Sequence, residues 1–212
     1  MRINLPFETQ QPQQPEQNQD PDIITMFLIG EIKPDNAGEL CNKMKAVETY
    51  NRMNNTFIPI ELIINSPGGD LHSSWMICDI MNSMQTPVQT IGLGQVASGG
   101  FIIFMNGVKG FRLATPNTQF MSHRFIAGLE ASHQDLKNQQ VEWDRTHDRI
   151  IQHYKRCTGL SEKIIESDLL PEHNVWLTAE DCLKYKICDI VDTKRYQPDE
   201  KLGKYKRPKK VK

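Results

Sequence analysis

The sequence predicts an α/β fold with parallel strands, and three observations support this prediction. Apolar runs typical of buried strands alternate with segments of helical periodicity. Two of these runs, FIPIELIIN and VQTIGLG, lead into Gly-rich turns that precede helical segments. A long and unusually polar helical segment follows at residues 131–157. With 212 residues, of which 38% are hydrophobic, the chain suffices for one domain core and falls short of two.

The ends of the chain differ in composition from the middle. Residues 1–20 are rich in Gln and Pro and predict a flexible segment, because they offer little apolar area to bury. Residues 21–193 form the predicted domain. Residues 194–212 are dense in Lys and Arg and predict a solvated, flexible tail, with a docking role left open. The formal net charge of the chain is −1, so the overall charge does not indicate a nucleic-acid partner, although such a role of the basic tail stays open.

The predicted elements follow in order from the local patterns. IITMFLIGEI has the apolar density of a strand, and Asp35 is a candidate N-cap for the helix after it. Next come the strand FIPIELIIN, the turn SPGG and a helix at residues 71–84, then the strand VQTIGLG and the apolar helix FIIFM. Two short strands are predicted within FRLATPNTQFMSH.

The segment 131–157 predicts a helix about 40 Å long at about 1.5 Å per residue. It is too polar to lie wholly inside a small domain, so we expect it to project and to pack its sparse apolar residues on a second copy. Gly159 is predicted to end this helix. Short helices near 161–168 and 179–186 and the strand CDIVD complete the predicted domain.

Cysteine and histidine usage bounds the location and the chemistry. The spacing of the five cysteines matches neither a disulfide framework nor a zinc site, which favours reduced thiols and a cytoplasmic protein. No histidine pair has metal-ligand spacing, so we expect no metal. No apolar run is long enough for a membrane span or typical of a signal peptide, so we expect no membrane association.

The turn GQVASGG places Ser98 between a predicted strand and a predicted apolar helix. Unpaired N–H groups at such a helix start stabilise a developing oxyanion, which makes Ser98 a candidate nucleophile. The alternative is an ordinary helix cap, and Val96 breaks the G-x-S-x-G pattern of hydrolase elbows.

Two further motifs are compatible with hydrolysis. SPGGD follows a buried strand, and its Gly69 can offer an N–H to an oxyanion beside that of Gly99, although an ordinary tight turn explains the glycines equally well. His123 ends TQFMSH and can act as a base if its strand neighbours that of Ser98; a surface or core histidine is the alternative. On residues alone, a serine hydrolase is one option among several.

The three motifs INSPGGD, GQVASGG and TPNTQFMSH, in this order and at this spacing, resemble the ClpP family of serine peptidases. The likeness extends over roughly residues 23–192 and includes CTGLSEKIIESD and WLTAEDCLKYKICDIVD. It implies a ClpP/crotonase-like spiral of β-β-α units with a projecting handle helix. It also implies Ser98 as nucleophile, His123 as general base, and Gly69 and Gly99 as the oxyanion hole, with no cofactor.

The resemblance implies partners as well. Members of the family form two stacked seven-membered rings through the handle helix, and an AAA+ ATPase feeds them unfolded polypeptides. Family members carry aromatic residues where the ATPase docks, whereas this chain has Glu61, Ile63, Ser83 and Leu113 at the corresponding positions. Those departures leave open a different ATPase or a mixed ring with another ClpP-like subunit.

The third member of the triad departs from the family pattern. Alignment on VWLTAED places Asn174 where the family has Asp, whereas alignment on IESD favours Asp168 or Glu172. We favour Asn174, whose neutral amide predicts weak or conditional activity. The alternatives are therefore a weakly active or inactive structural subunit and a virus-type processing protease on the same fold. A crotonase-type acyl-CoA enzyme is disfavoured, because no CoA site is evident.

Overall fold

The computed structural model describes residues 23–128, 130 and 132–192. The predicted flexible segment 1–20 and the predicted basic tail 194–212 lie outside the described residues. A single sheet organises the described part, with strand order β1-β2-β3-β4-β7. Two further strands extend it, because β5 pairs with β3 and β6 pairs with β5.

The elements have the following bounds. The strands are β1 (Ile24–Ile29), β2 (Ile60–Ser66), β3 (Val88–Ala97), β4 (Arg112–Ala114), β5 (Gln119–Ser122), β6 (Val175–Leu177) and β7 (Ile190–Val191). The helices are α1 (Pro34–Asn54), α2 (Leu71–Ser83), α3 (Gly99–Met105), α4 (His133–Thr158), α5 (Glu162–Ile164) and α6 (Ala179–Lys184). The predicted α/β fold with parallel strands is confirmed, since only the β5–β6 pair is antiparallel in the described sheet.

Strand β3 is the element that positions the site. Its first half pairs with β4, and its second half pairs with β5 in the register Ala97↔Met121. The β2–β3 ladder shifts register beyond Ile64, and Ser66 then lies opposite Val96. The carboxyl ends of β2, β3 and β5 therefore meet at one edge of the sheet, where open α/β sheets bind ligands.

The core forms on the side of the sheet that α1 and α2 cover. Ile60, Leu62 and Ile64 alternate along β2 and are fully buried, as strand periodicity requires. The predicted apolar face of α1 is buried as well: Ala37, Leu40, Cys41, Met44 and Val47. Asp35 does not cap α1, because Pro34 takes the first helical position and Lys33 is the N-cap; Asn36 instead accepts a hydrogen bond from the Lys33 N–H.

Helix α4 projects as predicted. Only its last third is buried, through Ile150, Ile151, Tyr154 and Cys157, whereas Leu136 and Val141 are exposed. Gly159 ends the helix in the left-handed conformation, also as predicted. Among the described helices, none combines the length and the apolarity that crossing a membrane requires.

The segment after α4 differs from the sequence prediction. The expected helix at 161–168 is a single turn, α5, followed by a π-helical turn from Ile165 to Leu169 that the Leu170 N–H closes on the Ile165 carbonyl. Strand β6 was not predicted; its three residues form a strand by pairing with β5.

Candidate active site

Ser98 occupies a strained turn between β3 and α3. Its φ of 53° and ψ of −121° are rare for a residue with a side chain, and such strain concentrates at functional sites. The turn is held on both sides. The Ser98 N–H donates to the Met121 carbonyl (3.0 Å), and the Ser98 carbonyl accepts from the N–H groups of Phe101 and Ile102. The hydroxyl is thereby presented at the carboxyl edge of the sheet.

His123 lies against this hydroxyl. The distance from His123 Nε2 to Ser98 Oγ is 2.7 Å, which is a hydrogen bond and suits a nucleophile–base pair. The β3–β5 pairing produces this proximity, because Ala97 and Met121, each a short step before its reactive residue, lie side by side. Burial lowers the pKa of His123, with a smaller opposing effect from the Arg124 backbone. The ring is therefore neutral at pH 7, and its Nε2 can accept the Ser98 proton.

The SPGG turn presses directly on the Ser98 turn. A Cβ on Gly68 would lie 2.6 Å from Ser98 Cβ and 2.9 Å from the Gly99 nitrogen, so only glycine fits there. Sequence reasoning had singled out Gly69 and Gly99 in these turns and had missed Gly68. The close packing leaves no room for a side chain between the two turns.

Gly69 is held by a bridge to Ile32. The Ile32 N–H donates to the Gly68 carbonyl (2.8 Å), and the Asp70 N–H donates to the Ile32 carbonyl (2.9 Å). Gly69 lies between the two residues that bond to Ile32. In a parallel bridge of this kind, the N–H of the middle residue points to the opposite side, so the Gly69 N–H is directed away from Ile32. Gly69 and Gly99 both line the cleft beside Ser98.

A cleft of about 570 Å³ opens in front of Ser98 and His123. Its apolar lining comes from three parts of the chain: Leu71 of α2, Phe125 and Ile126 beyond β5, and Ile150 and Tyr154 of α4. Asp70 is the acidic residue on its rim, and the hydrogen bonds from Ser73 lower the pKa of its carboxyl. The cleft suits an extended chain with an apolar side chain near the hydroxyl.

The three candidates for the third triad position lie in different surroundings. The β5–β6 register pairs Ser122 with Val175, and one further step places Asn174 opposite His123. The Asn174 side chain is exposed and forms no hydrogen bond with the His123 ring in the described structure. Asp168 is bound elsewhere, to the Tyr185 hydroxyl (3.1 Å) and to Ser167. Glu172 is exposed.

The positions that the resemblance assigns to an ATPase dock do not line this cleft. Glu61, Ile63 and Leu113 point to the face of the sheet opposite the core and are partly exposed. Glu61 accepts a hydrogen bond from the Thr25 hydroxyl (3.2 Å). Within the described ranges, no three His, Cys, Asp or Glu side chains gather as metal ligands do.

Comparison with known proteins identifies the family to which this sequence is similar. The family model described as Clp protease matches residues 21–195. An ATP-dependent Clp protease proteolytic subunit of Deinococcus radiodurans is 33% identical over 137 residues, which cover 64% of this chain and 66% of that relative. The ATP-dependent Clp protease proteolytic subunit 1 of Rhodopirellula baltica is 29% identical over 177 residues, which cover 82% of this chain and 75% of that relative.

A third relative is the ATP-dependent Clp protease proteolytic subunit of Paracoccus denitrificans. It is 35% identical over 127 residues, which cover 60% of this chain and 63% of the relative. The chain thus spans slightly less than two thirds of the length of two of these three relatives.

Proposed function

Since this chain belongs to the Clp protease family, we propose that it is a serine endopeptidase subunit of a Clp-type protease that cleaves unfolded polypeptides. The observation that carries the proposal is the 2.7 Å contact between His123 Nε2 and Ser98 Oγ, at the head of a glycine-lined apolar cleft. The names of the relatives, all proteolytic subunits, support it.

The chemistry is acyl transfer. Ser98 Oγ attacks the peptide carbonyl carbon as His123 Nε2 takes the hydroxyl proton, and the carbonyl oxygen becomes an oxyanion. The N–H groups of Gly69 and Gly99 donate to this oxyanion. The tetrahedral intermediate collapses, the C–N bond breaks, and the imidazolium gives its proton to the leaving amine. Water, deprotonated by His123, then releases the acid from Ser98. No cofactor takes part.

The assembly belongs to the same proposal. We infer stacked rings, heptameric as in the family, that are joined through α4, because the outer two thirds of this helix contain no buried residue and carry exposed apolar side chains such as Leu136 and Val141. An AAA+ unfoldase would supply the substrate. Glu61 on the sheet face disfavours an apolar docking loop, because burying its carboxylate would cost desolvation. The cysteines of the described domain are all buried and unpaired, which suits a cytoplasmic location.

A fluorophosphonate probe tests the proposal. We expect it to label the wild-type protein at Ser98, and we expect that protein to hydrolyse a fluorogenic peptide, because the imidazole activates this hydroxyl. Ser98→Ala should lose both signals, and Ser83→Ala, which removes an exposed hydroxyl outside the cleft, should keep both. Labelling that persists in Ser98→Ala, or a wild type without any labelling, would contradict the assignment.

A second candidate is a weakly active subunit of a mixed ring. One observation favours it: Asn174 is neutral and forms no hydrogen bond with the His123 ring in the described structure. Slow labelling of the protein alone, accelerated when a second ClpP-like subunit is added, would indicate this role.

The activity should also depend on pH in a defined direction. His123 acts as a base only when neutral, and burial lowers its pKa from the ordinary value of 6.5. Hydrolysis should therefore be lost only as the pH falls through a value below 6.5, and the acid limb of a kcat/KM profile reports that pKa in the free enzyme. An acid limb above pH 6.5 would contradict the burial of the ring.

A further inference from the structure

The position of His123 is not explained by the sheet alone. Strand β5 ends at Ser122, and its last ladder partner is Val175. His123 lies one residue beyond this point, and residues 123–128 belong to no helix or strand. A general base must stay within hydrogen-bond reach of its nucleophile. Some contact other than the sheet ladder therefore has to hold the imidazole in place.

The two residues that flank His123 are anchored to consecutive carbonyls. The Ser122 hydroxyl donates to the Leu169 carbonyl at 2.6 Å, and Arg124 Nε donates to the Leu170 carbonyl at 2.7 Å. Leu169 and Leu170 are fully buried at the end of the π-helical turn. Side chains on both sides of His123 thus bind the carbonyls of two consecutive buried residues, Leu169 and Leu170.

The Ser122 hydroxyl is held from α4 as well. The Tyr154 hydroxyl lies 2.8 Å from the Ser122 hydroxyl, and Tyr154 is fully buried. On this side the anchor is internal to the core. After His123, the anchor is the single hydrogen bond from Nε of the exposed Arg124 to the Leu170 carbonyl. The second contact is therefore the one that a substitution can remove without disturbing the core.

The Arg124 peptide also meets the ring that it follows. Its backbone favours the charged form of the imidazole. Holding this peptide therefore also holds the ring, whose Nε2 contacts the Ser98 hydroxyl. In serine proteases a buried carboxylate has this task, and Asn174 offers no such contact here.

We propose that Arg124 is a positioning residue for His123: by binding the Leu170 carbonyl, its side chain fixes the chain directly after His123 and so holds the imidazole against Ser98. The inference rests on the proposed function and adds to it a residue that the family motifs do not include. Arg124 acts through geometry and touches neither the reacting atoms nor the substrate carbonyl.

A pair of near-isosteric substitutions isolates the hydrogen bond. Arg124→Gln keeps an N–H donor at the same number of bonds from Cα as Nε, whereas Arg124→Met keeps the length and loses the donor. We expect Arg124→Met to lower kcat by roughly ten- to a hundredfold, since a misplacement of about 1 Å costs up to about 100-fold. KM should stay nearly unchanged, and Arg124→Gln should restore most of kcat.

The control and the second readout use the assembled, full-length protein. Arg52→Met, at an exposed position in the last turn of α1, should match the wild type. The rate of fluorophosphonate labelling of Ser98 should fall in Arg124→Met in parallel with kcat, because it reports activation of the hydroxyl without peptide binding. Thermal melting of each variant shows that the domain remains folded.

The outcomes separate the two proposals. Equal kcat in Arg124→Met, Arg124→Gln and wild type would overturn the positioning role, and so would equal losses in both variants or a rise in KM alone. A wild type that neither labels at Ser98 nor hydrolyses peptide would instead overturn the proposed function, and the positioning role with it.

Discussion

Asp189→Ala is expected to lower the free energy of unfolding by about 3–5 kcal/mol, because it leaves a buried guanidinium without its partner. The Arg112 side chain is 3% exposed, and its guanidinium binds the Asp189 carboxylate in a bidentate pair. Nη2 donates to Oδ1 at 2.6 Å, and Nε donates to Oδ2 at 2.8 Å. The same carboxylate accepts the N–H groups of Gly110 and Arg112. Urea denaturation at neutral pH measures the loss.

The same ion pair links the end of the sheet to the helices behind the site. Arg112 Nη1 donates to the carbonyls of Met105 and Cys157. Met105 is the last residue of α3, and Cys157 is the second-last residue of α4. Helix α3, which follows Ser98, is therefore tied at its far end to β4 and, through Asp189, to the residue that precedes β7. Activity and folding should be lost together as the urea concentration rises in Asp189→Ala.

Two comparisons show whether burial is the cause. The double variant Arg112→Met/Asp189→Leu removes both charges and should lose far less stability than Asp189→Ala alone. Glu142→Ala breaks the exposed pair with Arg145 and should cost at most about 1 kcal/mol. An Asp189→Ala protein within about 1 kcal/mol of wild type would show that the guanidinium finds other compensation.

The ion pair should also contribute to the pH dependence of stability. Burial raises the pKa of the Asp189 carboxyl, but the hydrogen bonds and charge of Arg112 outweigh it and leave the pKa below its ordinary value. A depressed carboxyl pKa contributes stability above the unfolded value near 3.8, and this is lost as the pH falls through the folded pKa. The loss of stability of the wild type at acid pH should therefore include a contribution from Asp189. The double variant Arg112→Met/Asp189→Leu should lack this contribution.

Much of the fold could be predicted because its signals are local. FIPIELIIN alternates buried and partly exposed residues for a full strand, and the helical spacing of apolar residues in α1 is unambiguous. The pairing of Ser98 with His123 was suggested by three motifs in sequence. The short distance between them depends on the β3–β5 register, which no single motif encodes.

The missed features depend on contacts between distant parts of the chain. Val175–Leu177 is too short to show a strand period and becomes β6 only beside β5. Ser122 and Arg124 are unremarkable in sequence, since their partners are carbonyls 47 and 46 residues away. Gly68 looked like an ordinary turn glycine, and only the close approach of Ser98 shows why no other residue fits.

Asn174→Asp is expected to raise kcat substantially, on the order of 100-fold, with the roughly 10⁴-fold effect of the reverse change in a Ser-His-Asp enzyme as an upper bound. The β5–β6 register continues from Ser122↔Val175 to place position 174 opposite His123. A carboxylate there would accept the imidazole N–H and stabilise the imidazolium that forms in the transition state. Steady-state hydrolysis of a fluorogenic peptide measures the gain.

The pH profile distinguishes this cause from a general improvement. A neighbouring carboxylate favours the charged imidazole, so the acid limb of kcat/KM should move to higher pH as kcat rises. Asn42→Asp, which adds the same charge at an exposed position of α1, should change neither quantity. An unchanged kcat with an unmoved acid limb would show that position 174 does not face the ring.

The two positioning groups should then be coupled. If a carboxylate at position 174 orients His123, the ring no longer depends on the Arg124 peptide alone. Arg124→Met should accordingly cost less kcat in the Asn174→Asp background than in the wild type, a non-additivity expected only of residues that act on the same group. Strictly additive effects would mean that the two residues influence hydrolysis through separate parts of the cleft, and the Leu170 contact of Arg124 would need another role.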